Sequence, residues 1–308
     1  MKSTAKKKLF INNMITLGMV VAAWIIMEVL MGTGHVSSLL KGLLVPFCIY
    51  VIMAVSLNLT VGILGELSLG HAGFMCVGAF AGALFSKCMK GTLNPTVSLV
   101  IAIFIGAAVA AVCGILIGIP VLRLRGDYLA IVTLAFGEII KSIFTNLYIG
   151  LDSRGYHIRF LQAPENLEEG GKLILGGPMG IGGVQKIATF TGGFILVMLC
   201  LIVIFHLVNS RTGRAILAIR DNRIAAESNG VNVTYYKLMV FVLAGALAGV
   251  AGVLYGMKYN VFPTMGNVGL KAFIASVIGG LGSVPGAIVG AIILGVIETF
   301  VSAFVSSS

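Results

Sequence analysis

Charge is what this 308-residue sequence has least of: Asp, Glu, Lys and Arg together supply 10% of it, against 58% hydrophobic residues. A soluble domain carries about 25% charged residues, so a water-soluble fold is excluded. Paired cysteine spacing is also missing. Cys48, Cys76, Cys88, Cys113 and Cys200 are scattered without a C-x-x-C, which argues against a metal or disulfide role and leaves most of them as small packing residues in apolar runs. No G-x-x-x-x-G-K-[ST], H-E-x-x-H or G-x-S-x-G occurs, so neither an ATP-binding loop nor those hydrolytic sites can be read from the chain. With no nucleophile–base pair and no metal cluster in the sequence, a membrane-embedded enzyme has no candidate residues.

What the sequence does have is apolar length. Mean hydropathy is +1.06, and runs of about 20 apolar residues, each enough to cross a bilayer core, recur from end to end. The ten-residue alternation of a transmembrane β-barrel is not seen. The reading is an all-α polytopic integral membrane protein, a single domain over residues 1–308, with about eight to nine membrane helices. Candidate helices are 10–31, 39–60, 68–86, 96–120, 128–149, 190–208, 237–257, 270–283 and 286–305. The run from Leu9 to Met31 is too long for the core of a signal peptide and has no small-x-small cleavage site, so it reads as the first membrane helix.

The formal charge of +10 does not form one patch. Lys2, Lys6, Lys7 and Lys8, then Arg123 and Arg125, then Arg211, Arg214, Arg220, Arg223 and Lys237 sit beside helix ends, the distribution expected of cytoplasmic segments. That puts 209–236 on the cytoplasmic side and 150–189 outside. The outer segment, with Gly pairs, Arg154 and the offsetting acids Asp152, Glu165, Glu168 and Glu169, reads as a loop with one short helix. The chain is therefore expected in the cytoplasmic membrane of a prokaryote, as a multi-pass protein.

Ionisable groups at bilayer depth need a partner or a task. Glu138 and Lys141 stand on one helix face and can neutralise each other. Glu28 and Glu298 lie toward outer helix ends, and Asn58 is placed to join helices through a hydrogen bond. Gly78 and Gly82 read as a helix-packing pair. The stretch NLTVGILGELSLGHAGF (58–74) reads as a broken helix, with Ser68 capping the restart and Glu66 or His71 satisfying freed backbone groups. Interrupted helices beside a cavity point to a transport pathway. GGLGSVPGAIVG later repeats the flavour, and the short KAFIASVIGG before it reads as re-entrant or as a half-helix covered by protein.

In the inner segment Ile216 and Ile219, then Ile224, Ala225 and Ala226, mark apolar faces at helical spacing. Asn229-Gly230 is a stop signal and Asn232 a cap for the next helix. Short amphipathic helices follow, either lying on lipid or docking to a protein.

Three stretches together carry a resemblance. Ser68–Ala72 with its glycine-rich surroundings, RLRGDYLAIVTLAFGEIIK from Arg123 to Lys141, and Gly213–Gly252 resemble the M-type (LivM) permeases of branched-chain amino-acid ABC importers, from about residue 40 to 300. The inner segment also resembles the E-A-A-x-x-x-G docking loop of ABC importers: Ala225, Ala226 and Gly230 match, while Ile224 replaces the glutamate and Glu227 follows. The resemblance implies an ABC-importer permease fold and a non-catalytic subunit without a cofactor of its own, ATP being bound by partners. Those partners would be two ABC ATPases, a second H-type permease or a second copy, and a periplasmic or lipid-anchored binding protein. It implies leucine, isoleucine or valine as cargo, with urea or amides as the alternative within the family and a stand-alone ion-coupled carrier or channel outside it. Candidate pathway residues are Asn58, Gly65, Glu66, Ser68, Gly70 and His71; candidate coupling residues are Arg220, Asp221, Arg223, Ala225, Ala226, Glu227 and Gly230. Family members usually add a helix after the I-E-T-F-V-S-A-like region, where this chain stops at Ser308; either a helix is missing here or the C-terminus lies outside.

Overall fold

The computed structural model describes residues 2–34, 38–89, 91–124, 126–152, 155–161, 172–264 and 266–305. Arg125, Arg154, Glu165, Glu168, Glu169 and the last three residues lie outside them. The helices are α1 (Lys2–Gly32), α2 (Ser38–Asn58), α3 (His71–Cys88), α4 (Pro95–Val121), α5 (Asp127–Asn146), α6 (Phe190–Asn209), α7 (Arg211–Asp221), α8 (Arg223–Ser228), α9 (Val233–Gly256), α10 (Gly266–Gly279) and α11 (Val284–Val305). Among the described residues, 7 are long and apolar enough to cross a membrane: α1, α2 with its continuation, α4, α5, α6, α9 and α11.

Helix ends follow local chemistry. Pro95 opens α4, where its missing N–H costs nothing. Thr189 caps α6, Ser210 caps α7, Asn222 caps α8 and Asn232 caps α9, each by accepting a backbone N–H.

The centre of the bundle is α9, packed on α3 and α4. Water cannot drive helices together inside lipid, so close packing of small residues has to. A Cβ on Gly78 would overlap the backbone of Gly249, and one on Gly249 would stand 2.6 Å from the Ala110 methyl and 2.9 Å from the Gly106 carbonyl oxygen. The expected packing role of Gly78 is therefore met by a seam of backbones in contact. Phe74 fills the space beside it, with ring centroids 5.5 Å from Phe136 and 5.3 Å from Phe241.

α10 is 14 residues long, about 21 Å at helical rise, too short to cross the hydrocarbon alone. It forms an antiparallel hairpin with α11, the Gly279 and Gly286 backbones touching. Gly280 and Gly282 take φ of 93° and 88° in the turn, the left-handed region that side chains avoid. Ser276 ties α10 to α2 by donating to the Ala54 carbonyl at 3.0 Å.

The segment read as a loop with one short helix is instead largely a sheet. Strands β1 (Leu147–Asp152), β2 (Gly155–Phe160) and β3 (Lys172–Gly176) pair antiparallel in the order β2-β1-β3. The first strand takes the residues expected to end α5, because Leu147-Tyr148-Ile149 are better strand formers once Asn146 ends the helix. Lys87 holds β3 to the bundle, donating to the carbonyls of Leu173 at 3.2 Å and Ile174 at 2.9 Å. A single 3-10 turn, Gly177–Met179, is the helical element found there among the described residues.

Candidate functional site

After Asn58 the helix widens into a π-helical turn, Leu59–Leu64, and stops at Gly65, whose φ is 79°. The chain then runs without regular structure to His71, where α3 begins. The glycine-rich stretch thus holds both the stop and the restart that its sequence leads one to expect. Ser68 does not cap the restart: the cap position is Gly70, which gives no side-chain bond, because a capping oxygen must sit directly before the first turn. Glu66 is ion-paired with Lys237 of α9, and so serves no freed backbone group.

His71 lies buried against α2. The Ser56 hydroxyl donates to the Met53 carbonyl at 3.0 Å and stands 2.9 Å from His71 Nε2. The hydroxyl thus ties the imidazole to α2, the ring's tautomer deciding which of Ser56 Oγ and His71 Nε2 donates. Leu69 N–H donates to Thr133 Oγ1 at 3.0 Å, fixing the irregular leg to α5. Ser68 is 1% exposed, and its Oγ has no hydrogen-bond partner among the described residues.

This leg floors a cavity of about 490 Å³ between α2, α3, α5 and α10, within the size range of small-molecule sites. Ser68 and His71 line it, together with Leu134, Glu138 and Lys141 of α5 and Phe273 of α10. Lys141 donates to Glu138 at 3.0 Å, the neutralising pair that the spacing predicts. Four other candidate pathway residues are occupied elsewhere. Asn58 Oδ1 accepts from Gly282 N–H at 2.8 Å, joining α2 to the hairpin turn; Gly65 faces the Arg220 stem and Gly70 the Thr133 carbonyl; Glu66 holds Lys237. Leu134 and Phe273 carry no signal in the sequence, since an apolar residue on an apolar helix does not announce which wall it lines.

The inner segment folds as two short helices, α7 and α8, bent at Asn222, whose Oδ1 accepts from Ala225 N–H at 3.0 Å. The expected stop at Gly230 is a Schellman turn: Gly230 N–H donates to Glu227 O at 3.0 Å and Val231 N–H to Ala226 O at 3.1 Å, with φ of 78° at Gly230. Ala226 points inward, 5% exposed, into a small core with Ile219 and Val233. Ile224 points outward at 77% exposure. Arg223 pairs with Glu227 at 3.0 Å and Arg220 with Asp221 at 3.2 Å. The apolar knob is therefore Ile224 with Ala225, edged by charge, while Ala226 belongs to the arm's interior. Arg220 also reaches the bundle: its Nη1 donates to the Gly62 carbonyl at 3.3 Å.

Comparison with known proteins follows this geometry. Residues 39–308 match the family described as branched-chain amino acid transport system / permease component. The chain is 33% identical over 300 residues to the high-affinity branched-chain amino acid transport system permease protein LivM of Escherichia coli (strain K12), covering 91% of this chain and 65% of that protein. It is 31% identical over 249 residues to the LivH permease protein of Salmonella typhimurium, 77% of each chain. It is 24% identical over 214 residues to the nucleoside ABC transporter permease protein NupC of Lactococcus lactis, 68% of this chain and 65% of that one. The chain thus spans about two thirds of the LivM relatives' length. No solved structure matches it.

Proposed function

The chain belongs to the permease family of branched-chain amino acid transport systems, and on that premise we propose that it is a membrane-spanning subunit of an ATP-driven importer moving leucine, isoleucine or valine. It is a multi-pass protein of a prokaryotic inner membrane. The arginine-rich end, with α7 and α8, faces the cytoplasm, as the clustering of basic residues at helix ends supports; the sheet faces outside. A second permease subunit of the H type completes the path, two ABC ATPases dock beneath, and a binding protein delivers cargo from above. The chain itself is non-catalytic and takes no cofactor; ATP is bound by the partners.

The observation that carries this reading is the arm: a capped helix pair that holds Ile224 out at 77% exposure while Arg220 grips the end of α2. Such a surface offers itself to a partner on one side and holds the end of α2 on the other. The cavity lies on the same corner, and its apolar walls with few polar groups match what a small amphiphilic solute requires.

The test is reconstitution in liposomes with both ATPases, the H-type permease and the binding protein. ATP-dependent uptake of labelled leucine or valine, competed by one another and not by urea, is the expected result. Uptake by the isolated chain on a proton or sodium gradient without ATP would overturn it, as would ATP-driven uptake of urea in place of leucine.

A further inference from the structure

We infer that Glu138 and Lys141 are the residues that read the charged end of the solute, an α-amino acid zwitterion, inside the cavity. This rests on the permease reading given above. Both belong to α5, a span of mean hydropathy 1.5, where charged side chains are costly and are kept for a task. They stand on the wall of the 490 Å³ cavity and are not sealed in protein: Glu138 is 62% and Lys141 41% exposed.

The hydrogen-bond arithmetic leaves room for a visitor. Lys141 donates to Glu138 Oε2 alone among the described residues, and an ammonium carries three donors while a carboxylate has two oxygens. An incoming zwitterion brings one carboxylate and one ammonium. Its carboxylate pairs with Lys141 and its ammonium with Glu138, so two charges enter an apolar space and none is left alone, the condition that makes burial of charge tolerable. Leu134, one turn before Glu138, and Phe273 across the cavity stand where the solute's aliphatic side chain goes. At the floor, Ser68 Oγ is 1% exposed and unpartnered, a polar atom left for a ligand's oxygen or nitrogen. An uncharged solute such as urea can hydrogen-bond to either ion but neutralises neither.

The test uses the full reconstituted complex and reads leucine moved per ATP hydrolysed. The double substitution E138Q/K141M removes both charges together, so no unpaired charge remains; a structural pair predicts unchanged coupling. The inference predicts that leucine per ATP falls about tenfold to a hundredfold, the range for losing a hydrogen bond to a charged group, while assembly and ATP hydrolysis persist. Should that variant fail to assemble, E138D keeps the pair within reach of the flexible lysine but withdraws the carboxylate from the solute. It is expected to lower the same ratio severalfold. An unchanged ratio in an assembled variant overturns the inference and leaves the permease reading standing; a wild-type complex without ATP-driven leucine uptake overturns the reading itself.

Discussion

Arg220 of the α7–α8 arm donates from Nη1 to the carbonyl oxygen of Gly62, 158 positions earlier in the chain, at 3.3 Å. Gly62 lies in the last turn before the chain leaves helix, where carbonyls lose their usual partners and need others. The bond therefore ends α2 and couples it to the arm at once. In Arg220→Ala the carbonyl loses its charged donor. The expected outcome is that docked ATPases still hydrolyse ATP while uptake per ATP drops about tenfold, in line with a lost charge-assisted bond. Uptake and hydrolysis falling together would instead mark a folding defect, and parallel assays on the assembled complex separate the two.

On the docking reading, Ile224 is the knob offered to a partner. Because it is 77% exposed, Ile224→Glu disturbs no core contact, and the variant should insert and melt as the parent does. Co-purification of the ATPase is expected to fall about fivefold or more, since apolar anchors at an interface centre typically contribute about 1–3 kcal/mol or more. Pull-down in mild detergent against the parent measures it. Normal recovery of ATPase would remove Ile224 from the contact.

Gly230 has open space around it and a φ of 78°. The cost of Gly230→Val is thus conformational and not steric. A β-branched residue in the left-handed region costs about 1–2 kcal/mol, enough to fray the Schellman turn and loosen α8. Insertion should be intact and ATPase recovery reduced. Gly230→Asn, which tolerates this conformation, is expected to retain most of it.

Asn58 bridges the two glycine-rich motifs by accepting from Gly282 N–H at 2.8 Å, with no solvent access. Asn58→Ala removes that bond to the exposed turn at Gly282, at about 0.5–1.5 kcal/mol, offset in part by losing the buried Nδ2 that has no partner among the described residues. A lower melting temperature in detergent and faster thiol labelling of a cysteine placed at Leu281, in the hairpin turn, are expected. A parent-like labelling rate would mean that helix packing alone holds the hairpin.

The parts of this architecture that local chemistry dictates were legible in the sequence. The Asn229-Gly230 stop and the Asn232 cap depend on residues within one turn, and the structure contains both. The Glu138–Lys141 pair is likewise a matter of helical spacing. What could not be read depends on distant partners. Glu66 meets Lys237 across 171 positions, and nothing near Glu66 signals it. Ser68 precedes α3 by more than a cap allows, so its hydroxyl lines a cavity and caps nothing. The sheet was hidden because glycines and prolines around short strands imitate a loop, and the pairing of β1 with β3 reaches past β2 to a later strand. For the candidate site, Ser68 and His71 stood out by polarity, whereas Phe273 and Leu134 did not.

The backbone contact joining Gly78, Gly106 and Gly249 has a mechanical meaning. With α3, α4 and α9 touching along it, there is no slack for one helix to glide over another without a clash. On the reading proposed above, a stroke delivered to the arm enters through Arg220 at the foot of α2, which Glu66 ties to Lys237 of α9 and which is stitched to the α10–α11 hairpin by polar ties at Ser276 and Gly282.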